Sequence, residues 1–126
     1  MFKLPFRMLL VFIALAGVRA DENFAPQYEK LAKAKGNDAN RLHKLFDVDW
    51  KRTMQENPEF ATQVGYPGFD DRWSDMSPEA IEQRKKNLQM PLGVIKAINR
   101  AKLSEADQLN YDLFSQQLNL AIEGNE

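Results

Sequence analysis

Beyond residue 23 the apolar positions of this chain recur at steps of three and four. That is the spacing of amphipathic helices, and no stretch alternates every second residue. The segment FAPQYEKLAKAK, Phe24 to Lys35, groups Phe24, Tyr28, Leu31 and Ala32 before Gly36, and Glu29 stands four residues ahead of Lys33. Being short and close to the start of the chain, it is expected to fray. A stronger stripe follows in NDANRLHKLFDVDWKRTMQEN, where Leu42, Leu45, Phe46, Trp50 and Met54 fall on one side. Asn37 or Asp38 can cap it, because a short side-chain oxygen accepts an orphan backbone N–H. Pro58 disfavours helical backbone at Asn57 and ends it.

Asn57 can then cap a short helix that begins with Pro58, turns Phe60, Ala61 and Val64 inward, and stops at Gly65. Pro67-Gly68 reads as a tight turn. Ser77 and Pro78 open the next helix, with Ile81, Leu88, Leu92, Ile95 and Ile98 as its apolar face and Glu82 able to pair with Lys86. Pro91 has no amide hydrogen, so it should kink or split that helix. Ser104 with Asp107 three residues on resembles a capping box. The helix it opens offers Leu109, Leu113, Phe114, Leu118, Ala121 and Ile122 as one wide inward face. The predicted fold is all-α, several amphipathic helices in a bundle or hairpin arrangement.

The first twenty residues have a different pattern. Lys3 and Arg7 precede an unbroken apolar run from Met8 to Val18, and Ala20 stands just before Asp21. This is the three-part layout of a secretory signal peptide. The run is far shorter than the roughly 20 residues a membrane span needs. Cleavage is expected after Ala20, giving a signal peptide over 1–20, a helical part over 21–126, and a secreted or periplasmic product with no membrane attachment. The leader holds three of the 17 basic side chains and none of the 18 acidic ones, so the remainder carries 14 against 18, a net charge of −4. That balance argues against nucleic acid as a partner, whose binding relies on clustered positive charge. The absence of cysteine removes disulfides, thiolate metal sites and a thiol nucleophile.

Candidate chemistry is sparse. His43 is the only histidine, so no two-histidine zinc pair can be built within this chain; its nearest local partner is Asp47, one turn later. Asp70, Asp71 and Asp75 lack the oxygen spacing of a calcium loop, and turn formation or capping accounts for them. No catalytic, cofactor or metal residue is assigned. The corner ENPEFATQVGYPGFDDRWSD, Glu56 to Asp75, collects Phe60, Tyr66, Phe69 and Trp73 beyond Trp50. Such a group either lines a groove for peptide or glycan or fills the core, since each aromatic buries about 150–250 Å². The candidate substrate contacts are Trp50, Tyr66, Phe69 and Trp73.

In order and spacing, NPEFATQVG, the Asp-Asp-Arg-Trp corner, MSPEAIEQR and LSEADQLNYDLFSQQL resemble the N-terminal segment of the bacterial domain-of-unknown-function family 885. The resemblance runs from about Leu42 to Glu123. It implies an exported, zinc-metallopeptidase-like protein whose metal-binding H-E-x-x-H helix lies beyond the region present here. Zinc is thus implied for the complete protein and not for this chain, which has no position matching that motif. The implied role of residues 21–126 is the helical N-terminal segment of a larger metallopeptidase-like domain, inactive alone, whose aromatic corner touches peptide substrate. A self-sufficient secreted all-α module that binds peptide or protein is the alternative.

Overall fold

Asn37, not Asp38, starts the longest stripe. Its side chain accepts from the Asn40 amide at 3.0 Å, while Asp38 pairs with Arg41 at 3.0 Å. The computed structural model describes residues 21–124, so the signal peptide and its cleavage after Ala20 fall on residues outside those described. Six α-helices make up the fold, with no strand among the described residues. They are α1 (Ala25–Lys33), α2 (Asp38–Glu56), α3 (Pro58–Gln63), α4 (Pro78–Asn87), α5 (Gln89–Ala97) and α6 (Glu105–Glu123), with a 3₁₀ turn, Arg100–Lys102, before the last.

The main core lies where α1, α2 and α5 meet, with α6 laid against them. Phe24, Tyr28 and Leu31 meet Leu42, Leu45 and Val48, and Val94, Ile95, Ile98, Leu103 and Leu118 close it. Far from fraying, α1 is a core element, and its entry is clamped. The Glu22 amide donates to Gln55 Oε1 at 2.8 Å, and Gln55 Nε2 donates back to the Glu22 carbonyl at 3.0 Å. Arg41 fastens the far end, where its guanidinium donates to the carbonyls of Leu31, Ala32 and Ala97. It thus serves the orphan carbonyls at the ends of α1 and α5 together.

The expected stripe of α2 divides between two places. Leu42 and Leu45 are fully buried in the main core, with Phe46 partly buried beside them. Met54 turns to a second, smaller cluster with Ala61, Phe69 and Tyr66. Trp50 lies between and stays half-exposed, its ring edge-on to Phe60 at 6.1 Å. Asn57 does not cap α3: its side-chain amide donates back to the Thr53 carbonyl at 3.0 Å and closes α2. In α3 only Pro58 and Ala61 are buried; Phe60 and Val64 face out, because six residues present one narrow side to Met54. Gly65 and Gly68 take positive φ, 74° and 96°, and bring Phe69 back under the corner.

Ser77 caps α4 through the Ala80 amide at 3.2 Å. The break attributed to Pro91 comes at Leu88, three residues earlier. A proline removes the bond to the carbonyl four residues back and crowds it; here that carbonyl belongs to Asn87, the last residue of α4. Glu82 meets Lys85 at 3.2 Å rather than Lys86, since positions three and four apart are both neighbours on a helix.

The wide inward face expected of α6 is two opposed stripes. Leu118 is buried and Tyr111, Phe114 and Ile122 are partly so, whereas Leu109, Leu113 and Leu120 are 59%, 48% and 59% exposed. At about 3.6 residues per turn, positions 109, 113 and 120 lie together, opposite 111, 114, 118 and 122. No helix among the described residues is long and apolar enough to cross a membrane.

Candidate functional site

A charged residue sits in the seam between α1 and α2. Arg52 is 5% exposed, a position an arginine holds only if its charge is matched. Its Nη2 donates to Asp49 at 2.8 Å, its Nε to the Tyr28 hydroxyl at 3.0 Å, and its Nη1 to Glu56. The Tyr28 hydroxyl donates to Asp49 at 2.7 Å. Asn87 Nδ2 donates to Glu56 at 2.6 Å and carries the network across to α4. No buried side-chain nitrogen or oxygen among the described residues lacks a partner.

The network sets its own protonation. Burial works against the Arg52 charge, but Asp49 and Glu56 outweigh it and hold the guanidinium charged above its ordinary range. Burial, then Asp49, pushes the Tyr28 phenol above its ordinary 10.0. A folded value raised above the unfolded one gives stability that is complete below pH 10 and is lost as pH rises from there toward the folded value. Tyr28→Phe should therefore lower stability by about 1 kcal/mol at neutral pH, the worth of a hydrogen bond. It should also flatten the decline above pH 10. Urea unfolding of both proteins at neutral and alkaline pH measures this, and parallel alkaline declines would contradict it.

Glu56 and Asn87 line a cleft of about 510 Å³, bounded by the chain entry at Asp21–Ala25, the end of α2, α4, and the corner at Arg72–Asp75. The volume lies within the range of small-ligand sites, roughly 300–1,000 Å³. Its walls are fixed from several directions. Arg72 Nη1 donates to Asp21 at 2.6 Å and its guanidinium lies 5.6 Å from the Phe69 ring centre. Ser74 donates twice to Glu59, at 2.8 Å from the amide and 2.5 Å from the hydroxyl, which holds that carboxyl below its usual range. Asp75 accepts the Ser77 amide at 2.9 Å and is depressed for that reason, and Arg84 donates to the Asp75 carbonyl at 2.6 Å.

The four candidate substrate contacts are not brought together. Trp50 pairs with Phe60, and Tyr66 stacks on buried Phe69 at 5.9 Å. Trp73 alone lines the cleft, 85% exposed on its rim. It is not core, because the corner that buries Phe69 turns Trp73 the other way. The polar network escaped the sequence reading, although a signal was present: Asp49 and Glu56 stand three before and four after Arg52, on one side of a helix.

His43 does not pair with Asp47. It meets Asp107 of α6 at 2.8 Å, and this contact leads the causes holding the Asp107 carboxyl below its ordinary range. Asp47 points instead into a groove between α1 and α2. Of the corner aspartates, Asp70 accepts from the Thr62 hydroxyl at 2.9 Å and Asp75 serves its turn. Among the described residues no three His, Cys, Asp or Glu side chains gather where a metal could be held. The donors present thus do not fit a zinc site.

No curated protein and no solved structure matches the chain. A family profile does, that of a bacterial protein of unknown function, DUF885, over residues 58–126. The match starts at Pro58, so the part of the resemblance from Leu42 to Asn57 lies outside it. It covers α3 to α6 and the corner with Trp73, more than half of the sequence, and the chain accordingly belongs to the DUF885 family.

Proposed function

We propose that this chain is the helical N-terminal portion of an exported, zinc-metallopeptidase-like member of its family. In this reading it has no hydrolytic activity by itself and contacts peptide substrate through Trp73 at the rim of the cleft. The observation that carries the reading is the outward stripe of α6. Leu109, Leu113 and Leu120 form a leucine row on the face away from the core, within the region that matches the family. A row of this kind on a helix already packed on its other side is suited to a further helix. The basic, apolar and small-residue order of residues 1–20 supports export.

The test has two parts. The coding DNA is read beyond codon 126, where the reading expects an H-E-x-x-H helix in a continuing or shifted frame. The purified chain is assayed for peptide hydrolysis with added zinc, with no turnover above the metal-free baseline expected. A stop codon with no such frame downstream, or zinc-dependent turnover by this chain, overturns the reading.

One observation favours the alternative of a self-sufficient binding module: Leu42, Leu45 and Val94 are fully enclosed by helices already present. That reading expects a soluble species that melts cooperatively and ignores a hydrophobic dye. The first expects dye binding at the leucine row, abolished in the triple variant Leu109→Gln, Leu113→Gln, Leu120→Gln.

A further inference from the structure

Four lysines from α1, α2 and the link between them are scattered in sequence but share one recess. A groove of about 530 Å³ runs between the two helices, and Lys30, Lys35, Lys44 and Lys51 all line it. Asp47 is the single acidic residue among its walls, and no ion pair or hydrogen bond joins any of the four ammonium groups to another described residue. Of the ten other Lys and Arg side chains of the described chain, seven are engaged: Lys33 with Glu29, Arg41 with Asp38, Arg52 with Asp49 and Glu56, Arg72 with Asp21, Arg84 with the Asp75 carbonyl, Lys85 with Glu82 and Arg100 with Asp112. Residues 21–126 are net acidic, so four unmatched positive charges converging on one concavity run against the balance of the molecule.

We infer that this groove binds an acidic polypeptide segment. Its lining joins the four lysines with the amide side chains of Gln27 and Asn40, and Leu31 and Val48 close it from the core side, so it offers positive charge and hydrogen-bond donors. Lys44 and Lys51 are seven residues apart on α2, about 10.5 Å at 1.5 Å per residue. Three residues of polyproline II chain cover nearly the same distance, at about 3.1 Å each, and return the side chain to the same face. A segment with a carboxylate at every third position therefore reaches both lysines from one side of the chain. Phosphate is a poorer occupant. The one arginine in the groove, Arg41, commits its guanidinium to three backbone carbonyls and Asp38, so no free planar fork remains. Nucleic acid would want an aromatic platform, and the groove has none. A lipid surface would want the charges on a crest, and these line a recess.

The experiment uses the full chain and a fluorescein-labelled peptide, Glu-Leu-Ala-Glu-Leu-Ala-Glu, read by fluorescence anisotropy at low salt and at about 0.15 M. The expected result is saturable binding that salt weakens, no binding by the peptide with glutamine in place of each glutamate, and an affinity about tenfold lower for Lys44→Gln/Lys51→Gln. The α1-side pair, Lys30→Gln/Lys35→Gln, should give the same loss, so the proposal stays testable if one pair disturbs folding, as monitored by circular dichroism. Equal binding of both peptides overturns the inference, as does indifference to both lysine pairs. Lysine-dependent binding to phosphatidylserine vesicles or to a single-stranded oligonucleotide, without peptide binding, also overturns it.

Discussion

Replacing Arg52 with methionine should destabilise the fold by about 3–5 kcal/mol, the usual effect of removing one partner of a buried ion pair. Set against total stabilities of about 5–15 kcal/mol, this is enough to unfold a marginal domain. The size comes from the groups that would be left behind. Asp49 and Glu56 are both largely shielded from water, and each would lose its charged donor while staying partly buried. The Tyr28 hydroxyl would lose its donor and keep only Asp49. Screening by solvent is weak in the native fold, because Arg52 is 5% exposed. A triple variant, Arg52→Met with Asp49→Asn and Glu56→Gln, should recover much of the loss, since neutral amides are far less costly to bury than unpaired carboxylates. Urea unfolding of wild type, single and triple variants measures both steps. A single-variant loss below about 1 kcal/mol, the size of a solvent-exposed pair, would mean the network is wet. Because Glu56 also holds Asn87, loosening it should free α4 from the end of α2, so any ligand of the cleft should bind the Arg52 variant more weakly.

The same residue marks where sequence reading stopped. Several helix ends were legible because they are fixed by local chemistry that a single chain carries openly. Pro58 cannot continue α2, Ser77 and Ser104 cap α4 and α6, and the proline at 91 deprives Asn87 of a bond. Which side of a helix faces inward was less legible. In α2 apolar residues surround more than half the circumference, and in α6 two stripes oppose each other, so periodicity alone could not choose between Leu109 and Tyr111. An arginine in the core was invisible to a count of apolar positions, although its acidic neighbours at three and four residues would have flagged it. The cleft and the lysine groove were out of reach for another reason. Their walls come from residues far apart in the chain, Glu22 beside Gln55 in one and Lys30 beside Lys51 in the other, and only the packing of α1 on α2 joins them.

Two aromatics four residues apart should behave oppositely when truncated. Phe69→Ala is expected to cost about 3–5 kcal/mol, the range for deleting a buried aromatic ring. Phe69 closes the small cluster with Met54 and Ala61, stacks on Tyr66 and supports the Arg72 guanidinium, so its loss leaves a cavity under the corner. Trp73→Ala should change stability by less than about 0.5 kcal/mol, as exposed positions do. A large apolar ring kept at 85% exposure on the rim of a cleft contributes little to folding, which directs attention to what enters the cleft. If Trp73 contacts peptide, Trp73→Ala should weaken peptide binding at least tenfold while leaving the melting curve in place, the pattern of an interface anchor. Phe69→Ala should lose binding only to the extent that it unfolds. Thermal melts paired with titrations of a fluorescein-labelled peptide followed by anisotropy separate the two roles, because that signal survives removal of either ring. The assignment of Trp73 fails if its alanine variant melts early, or if peptide affinity is the same with and without the ring. The first outcome would make Trp73 a structural residue like its neighbour, and the second would leave the cleft without its aromatic contact.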